Sequence, residues 1–539
     1  VNNRPTTGQL NDLGNTMTTR RQFLTTSTAL PVLYHIQSTF LAADEEMKPT
    51  TKTVTERRPS THVILSFATE VAEVPKDYDH IKALAEFLTA EGLVGNFHLT
   101  GDYARALKRH GRLDVVEALR SHEIGFHCNH HGAAPFMAGY LENLNWRDGT
   151  TEWARNELPG LRVVEELFGR QPTYYTTEFN KAPQSIFASN QVGLPTIGYS
   201  TVPALGHGAV WYCNSFIPSC ESPIGVERFF SAGLEPEAEG HYQKKETYYR
   251  AVVDQYTEKL KGQKSSLIRA YQHSYKAYAV YPPVEHPKPN IYRDDDLYYE
   301  EHPHYLDLLP DGKYRKGFDL FKRIIRYYAE QAEFTTFSKY RQGFRDNQGQ
   351  WFSLLELDEV CALLSNRLDA YVSDTLSVSP AEAFGMLVRV LRVYHEDGAL
   401  PEKVFMRNVI GPTSPIPEKL GQGNTNSESL LKSLRLIDRA IDNEQSIPSS
   451  IEMAGITVGP GQFLNGLRSL YIATRKKQSP QSLTLAGPNL PVIANEPFFK
   501  EKTLTKDRYP KDFEGRKICQ LCRLQSWSWK PAVARDVNL

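Results

Sequence analysis

His122-Glu123-Ile124-Gly125-Phe126-His127-Cys128-Asn129-His130-His131-Gly132 closes a stretch that opens on the apolar run 62–67 and continues Ala68-Thr69-Glu70. Between these ends, residues 78–90 carry Ile81, Ala85 and Leu88 on one helical stripe with Leu84 beside them, and Gly92 stops the helix. Residues 93–99 read as the next strand, 103–108 and 113–120 as helices, and 124–126 as a short strand ending at His127. Strands that alternate with helices predict a mainly parallel sheet, with ligand groups gathered at the carboxyl ends of the strands. Two polar strand ends therefore stand out: Glu70, and His127 with His131 four residues on. A carboxylate and two imidazoles, if they meet, are donors for a divalent metal.

The chain has 539 residues, too many for one ordinary core, so two or three domains are expected. Its 40% apolar and 23% charged residues are the proportions of a globular protein. A net charge of -1, with no dominant Lys/Arg tract, gives no reason to expect nucleic acid or an anionic membrane as partner. Six cysteines over this length do not make a disulfide scaffold. Cys213 and Cys220 are close enough in sequence to bridge in an oxidising compartment. Cys519-x-x-Cys522 reads as a redox pair or as half of a zinc site whose second half is missing. No glycine-rich phosphate loop or nucleophile elbow is present.

Toward the amino terminus, Met17 is followed by Thr18-Thr19-Arg20-Arg21-Gln22-Phe23-Leu24 and a moderately apolar run to Ala43. A basic start, an apolar middle and a small-residue end describe an export signal. Its Arg-Arg-x-Phe-Leu core resembles a twin-arginine signal. Residues 1–43 are thus expected to be a leader, and the protein to be exported, to the periplasm, the cell envelope or the exterior. Residues 44–60, charged and rich in Thr and Pro, read as a linker. Thr25, Thr26, Ser27 and Gln37 interrupt the apolar run, so no integral membrane span is expected. The alternative is a chance arginine pair on an intracellular enzyme.

Beyond Gly132 the alternation continues. Residues 153–168 read as helix, Gly169-Arg170-Gln171-Pro172 as a turn into a β-like 173–177, 182–189 as helix and 193–199 as strand. Residues 200–235 have the makeup of a long surface loop, 248–261 of a helix and 266–271 of a strand. Residues 280–311, with Asp294-Asp295-Asp296, read as an exposed excursion. Phe318, Phe321, Ile325 and Tyr328 give an amphipathic helix over 318–331, with a closing strand at 334–337.

A second region, 350–500, opens on a helix over 354–371 and then repeats its punctuation. Leu376-Ser377-Val378-Ser379-Pro380 leads a helix with Phe384, Leu387 and Leu391, followed by Leu400-Pro401 and Gly411-Pro412. About eighty residues on, Ile456-Thr457-Val458-Gly459-Pro460 leads a helix with Phe463, Leu467 and Tyr471, followed by Ser479-Pro480 and Gly487-Pro488. This predicts a mainly helical domain with an internal duplication, 372–415 and 452–490, each copy with Pro in the first helical turn. Residues 501–539 are expected to be a C-terminal tail.

Residues 61–345 resemble the NodB-like polysaccharide deacetylase family. The specific similarity is residues 122–127 with His131 four residues after His127, which looks like the family's metal-binding motif. Residues 90–101 resemble its second strand, Gly169-Arg170-Gln171-Pro172 the approach to its third motif, and 318–337 its closing helix and strand. A little over half the chain is covered. The resemblance implies an α/β fold, a distorted and often seven-stranded (β/α) barrel. It implies removal of N- or O-acetyl groups from acetylated polysaccharide or cell-wall glycan with a divalent metal, usually zinc. Glu70, His127 and His131 would be the metal ligands.

Two departures bear on catalysis. Ala68 falls where the family has a catalytic Asp, and a methyl group cannot take a proton from water. Thr176 in Pro172-Thr173-Tyr174-Tyr175-Thr176 falls where the family has an Arg supporting that Asp. Glu73 and Glu123 are the carboxylates that would stand in for the base, and His273 matches the late histidine that aids the transition state. Tyr174, Tyr175 and Thr176 are candidates to line a sugar groove. Two functions follow: a metal-dependent hydrolase of acetylated carbohydrate with altered or impaired catalysis, or a non-catalytic protein that binds cell-envelope glycan on a degenerate barrel.

Overall fold

The computed structural model describes residues 61–70, 74–130, 137–176, 182–198, 208–218, 224–225, 240–260, 266–280, 307–345, 349–365, 367–453, 455–500 and 514–535. The expected leader and linker, Glu73, His131, Cys220 and Asp294-Asp295-Asp296 lie outside the described residues. In the first half the elements run β1 (Thr61–Thr69), α1 (Pro75–Ala90), β2 (Asn96–Leu99), α2 (Gly101–Arg109), α3 (Leu113–Leu119), β3 (Glu123–Phe126), α4 (Trp146–Phe168) and α5 (Pro183–Gln191). They continue with β4 (Val210–Tyr212), β5 (Ser215–Ile217), β6 (Ile224–Gly225), α6 (His241–Leu260), β7 (Ser266–His273), α7 (Asp311–Gln331) and β8 (Glu333–Phe334).

The sheet has the order β3-β2-β1-β7-β6, and β8 also pairs with β1. All of these pairings are parallel. Parallel bridges from Phe126 to Tyr175, Tyr175 to Ile197 and Thr196 to Phe216 carry the same direction onward to β5. Among the described residues nothing joins β5 to β6. The β-like segment expected at 173–177 is thus reduced to the bridging residue Tyr175. The strand expected at 93–99 begins only at Asn96, because Leu93 turns back to bond the Leu88 carbonyl. The closing strand ends at Phe334, since Thr336 caps a helix that starts at Phe337.

β1 is buried along its whole length, with both faces covered. Val63, Leu65 and Phe67 pack with the helices, whereas Ile64 belongs to an inner cluster with Tyr174, Leu267 and Phe337. Strand side chains alternate, so Ser66 and Ala68 share the inner face with Ile64. Register extends this row across the sheet: His273 of β7, Ala68 of β1, His98 of β2 and Gly125 of β3 lie side by side. Gly125 has to lack a side chain, because a Cβ there would sit 2.3 Å from the ring of Tyr174.

The second half contains the same order of elements twice. β9 (Trp351–Ser353), α8 (Leu354–Leu364), a hairpin of β10 (Tyr371–Val372) and β11 (Ser377–Val378), α9 (Pro380–Asp397) and β12 (Lys403–Phe405) come first. β13 (Gly423–Thr425), α10 (Ser427–Glu444), a hairpin of β14 (Ile451–Met453) and β15 (Ile456–Val458), α11 (Pro460–Arg475) and β16 (Leu483–Leu485) follow. In each set the outer strands pair antiparallel, β9 with β12 and β13 with β16. The first helix of each set packs on the second helix of the other, α8 on α11 and α10 on α9. α8 ends at Leu364 and not at 371, where the chain has already turned into β10. Ser353 with Glu356 and Ser379 with Glu382 form capping boxes that start α8 and α9. At the start of α11, Gly459 has no side chain to offer, and Asn489 accepts from the Gly461 and Gln462 amides instead.

The C-terminal segment is ordered where a tail was expected. α12 (Arg516–Gln525) and β17 (Lys530–Pro531) run back across both halves, with β17 pairing antiparallel to β4. Trp529 joins the core of the first half and Trp527 that of the second. The Gln525 amide donates to the carbonyls of Gly411 and Pro412. Cys519 and Cys522 sit one turn apart on α12, and both remain thiols, as does the buried Cys213. Among the described residues no helix is long and apolar enough to cross a membrane.

Lys530 anchors this strap. Its Nζ lies 2.8 Å from Glu382 Oε1, and both side chains are about 95% buried, at 4% and 5% exposure. The other Glu382 oxygen accepts from the Ser379 amide in the α9 capping box, so one carboxylate serves both the strap and the helix start. Removing one partner of a buried pair leaves an uncompensated charge. Lys530→Met is therefore expected to lower stability by about 3–5 kcal/mol in urea unfolding, and a loss below about 1 kcal/mol would contradict this role.

Candidate active site

Glu70 follows β1 and is buried, at 4% exposure. Its Oε1 lies 3.1 Å from His273 Nδ1, 3.4 Å from His127 Nε2 and 3.5 Å from the Tyr271 hydroxyl. The two histidines come from strands on opposite sides of β1. His273 ends β7, which pairs with β1 directly, while His127 follows β3, two strands away. Tyr271 lies two residues before His273 on the same face and is 3.2 Å from its Nδ1. His98 completes the group: its ring stacks on Tyr271 at 5.6 Å and meets His127 edge-on at 5.4 Å.

The tautomer of a neutral His127 ring follows from its neighbours. Its Nδ1 lies 2.8 Å from the Thr176 carbonyl oxygen, an atom that can only accept. Nδ1 therefore donates, and in the neutral ring the lone pair is on Nε2, toward Glu70. His98 is held neutral, well below its ordinary value, by burial first and then by the proximity of His127. His122 illustrates the contrasting structural histidine, donating from Nε2 to the Ala85 carbonyl and accepting the Gly95 amide on Nδ1.

A carboxylate oxygen and an imidazole lone pair facing each other at 3.4 Å suit a cation between them. Two ligands each about 2.0–2.1 Å from zinc, at a tetrahedral angle, are about 3.4 Å apart. A carbonyl behind the ligating imidazole is also the usual arrangement for orienting a metal-bound histidine. Glu70 and His127 thus fit two ligand positions, and His131 lies outside the described residues. Among the described residues, no group of three or more His, Cys, Asp or Glu is assembled to hold a metal.

Several expected roles need correction. Tyr174 and Tyr175 are fully buried and cannot line an open groove. The Tyr174 ring lies over Gly125 with its hydroxyl 3.5 Å from His98 Nδ1, and the Tyr175 hydroxyl accepts from Trp153 Nε1 on the helix side. Thr176 is buried as well, and it orients His127 and does not face a substrate. Glu123 opens β3, at the far end from His127, where it accepts from Thr173, Phe337 and Ser338. It cannot replace the missing base. His273, by contrast, is brought against Glu70 and is about one-fifth exposed.

His98, which the strand pattern suggests as a core-edge residue, joins the group, whereas Tyr271 escaped sequence reading as a site residue, although its period-two spacing with His273 was a usable signal. Asp77 also escaped it. Fully buried in the first turn of α1, it accepts from the Ser274 and Tyr278 hydroxyls, each at 2.8 Å, and so holds the turn after His273.

No family model matches the sequence, and no curated protein matches it. Solved structures do. One described as a polysaccharide deacetylase from Mycobacterium smegmatis is 10% identical over 55% of this chain and 94% of its own, with a TM-score of 0.32. Another so described, from Pseudomonas aeruginosa, is 10% identical over 53% and 90%, with a TM-score of 0.33. A CE4 family pseudoenzyme from Bacillus anthracis is 11% identical over 52% and 66%, with a TM-score of 0.27. Polysaccharide deacetylases are thus among the structures the chain is similar to, and at this identity the likeness assigns no side chain a role.

Burial pushes the Asp77 carboxyl up to about 6 against the opposing hydroxyls of Tyr278, Ser274 and Tyr103, and the charge of Glu70 adds to the rise. An unfolded Asp titrates near 3.9. The folded chain thus binds this proton first as pH falls, and Asp77 contributes stability that grows from pH 7 to pH 4, by about 2 kcal/mol. Asp77→Asn is expected to flatten that part of the urea-midpoint profile. An unchanged profile would contradict the assignment.

Proposed function

We propose that the first half of the chain is a divalent-metal-dependent hydrolase of acetylated carbohydrate, acting on an amide or ester bond. Glu70 and His127 are two of its ligands, His131 the third, and zinc the ion that suits this donor set best. The observation that carries the reading is the His127 tautomer: Thr176 fixes the Nδ1 proton and turns the Nε2 lone pair to Glu70. When bound, such an ion polarises an acyl oxygen and makes water acidic enough to attack it near neutral pH. The acetylated-glycan substrate rests on the family resemblance of residues 122–131. The place of action, periplasm, envelope or exterior, rests on the Arg20-Arg21 leader.

The chain's own residues then have distinct tasks. His273 turns Nδ1 to Glu70 and Tyr271, so proton exchange with a leaving amine or alcohol falls to Nε2. Ala68 lies between His98 and His273 on the inner row, in the place where a base would stand, and its methyl takes no part in proton transfer. Slow turnover follows. In the second half, the repeated element order and the reciprocal packing of α8 on α11 and α10 on α9 support an internal duplication.

A second reading, glycan binding without turnover, is favoured by one observation: Ala68 is fully buried and supplies no base. Acetate release from acetylated chitin oligomers, peptidoglycan and xylan separates the two. With one equivalent of zinc, wild type is expected to release acetate, chelation to stop it, and Glu70→Ala to reduce it at least 100-fold. Ala68→Asp should raise the rate by about 10²-fold, the usual contribution of a positioned base. Glycan binding with no acetate from wild type would select the second reading, and equal rates for wild type and Glu70→Ala would remove the metal mechanism.

A further inference from the structure

On β7, alternation puts Arg269, Tyr271 and His273 on the inner face, with Tyr271 opposite Ser66 and His273 opposite Ala68. Tyr271 is partly buried, and its ring meets both of the imidazoles that flank Ala68. The His98 ring lies face to face with it, centroids 5.6 Å and planes 11° apart, and the His273 ring meets it edge-on at 5.1 Å and 82°. His98 belongs to β2 and Tyr271 to β7, on opposite sides of β1. The two rings can stack across that strand because Ser66 and Ala68, its inner-face residues there, are small.

The hydroxyl at the end of this ring is one corner of a triangle. It lies 3.2 Å from His273 Nδ1 and 3.5 Å from Glu70 Oε1, and those two atoms are 3.1 Å apart. An ionised carboxylate only accepts, so the hydrogens in this triangle come from the phenol and the imidazole. In such a network each bond polarises the next, and the three groups hold one arrangement better than any two of them would. Of the three, Tyr271 is best placed to set that arrangement. Glu70 lies just beyond the end of β1, and His273 is the last residue of β7. Tyr271 stands inside β7, paired to β1 along its length, and the His98 ring fixes the plane of its own.

We infer that Tyr271 is the positioning residue for Glu70 and His273: its hydroxyl holds the carboxylate and the imidazole in one mutual orientation, on a ring that His98 keeps in place. This rests on the reading of Glu70 as a metal ligand and of His273 as the proton partner of the leaving group. Tyr271 acts through those two side chains. The carboxylate is thus aimed before any ion arrives and does not have to be ordered by binding. Groups that orient a ligand without touching the ion typically alter metal affinity or activity about 10- to 100-fold when removed.

The test compares Tyr271→Phe, which removes one oxygen and keeps both ring contacts, with Tyr271→Leu, which removes the ring as well. Co2+ binding by the full chain is followed through its visible d–d absorption and titrated to a dissociation constant. Tyr271→Phe is expected to keep the far-UV circular dichroism of wild type and to bind Co2+ about 10- to 100-fold more weakly, with a shifted spectrum, and Tyr271→Leu to lose at least as much. With zinc and acetylated chitin oligomers, Tyr271→Phe is expected to lower kcat by a similar factor and to leave KM unchanged, since the hydroxyl acts through Glu70 and His273. A loss of Co2+ affinity below about fivefold in Tyr271→Phe would overturn the role while leaving the metal site intact, whatever Tyr271→Leu or the thermal midpoint does. A raised KM at unchanged kcat would make Tyr271 a substrate contact and would also overturn it. If wild type releases no acetate, the Co2+ titration still decides the inference. Absence of any Co2+ spectrum in wild type would overturn the metal-ligand reading and this inference with it.

Discussion

One hydrogen bond, from His127 Nδ1 to the Thr176 carbonyl, decides what the site can be. It assigns the proton to one side of the ring and so assigns the lone pair to the side facing Glu70. With the opposite tautomer, Nε2 would donate to the carboxylate, and the pair would be an ordinary buried contact. At position 176 it is the backbone, which any residue supplies, that does the orienting. Thr176 adds its hydroxyl at 3.0 Å from the same nitrogen.

The sheet register turns that local fact into a site. β1 places Ala68 and Glu70 on the inner face, and its parallel neighbours add His98 on one side and Tyr271 with His273 on the other. With His127 after β3, three imidazoles and one carboxylate are collected from four strands of the sheet, of which β7 is remote in sequence from the other three. The outward face of the same strands, Val63, Leu65, Phe67, Ile268 and Ala270, joins the helical core. A polar interior end on an apolar exterior is what lets a buried carboxylate sit beside donors and still belong to a stable sheet.

Much of this was readable in advance, and the part that was not has a common cause. The first strand, the helix after it and the short strand before His127 were legible because apolar periodicity is local. Glu70 and His127 stood out as polar strand ends. The meeting of His273 with Glu70, 203 residues apart, depends on which strands are neighbours, and periodicity says nothing of that. For the same reason Tyr174 and Tyr175 looked suitable for a groove, whereas register and the Gly125 gap direct both into the interior. In the second half, proline marked both long helices, but three-residue strands are too short to leave a pattern. The C-terminal strap did leave one, Trp527-Ser528-Trp529, whose two large rings belong in cores.

The proposed function requires that the Glu70 carboxylate and the His127 lone pair share a cation. X-ray absorption at the zinc K-edge, on the full chain carrying one equivalent of zinc, tests this most directly. The predicted result is a low-coordinate site with oxygen and nitrogen neighbours at about 2.0–2.1 Å and the multiple-scattering signature of two imidazoles, lost in part in His127→Ala. A sulfur shell at about 2.3 Å, or a spectrum that His127→Ala leaves unchanged, would contradict it.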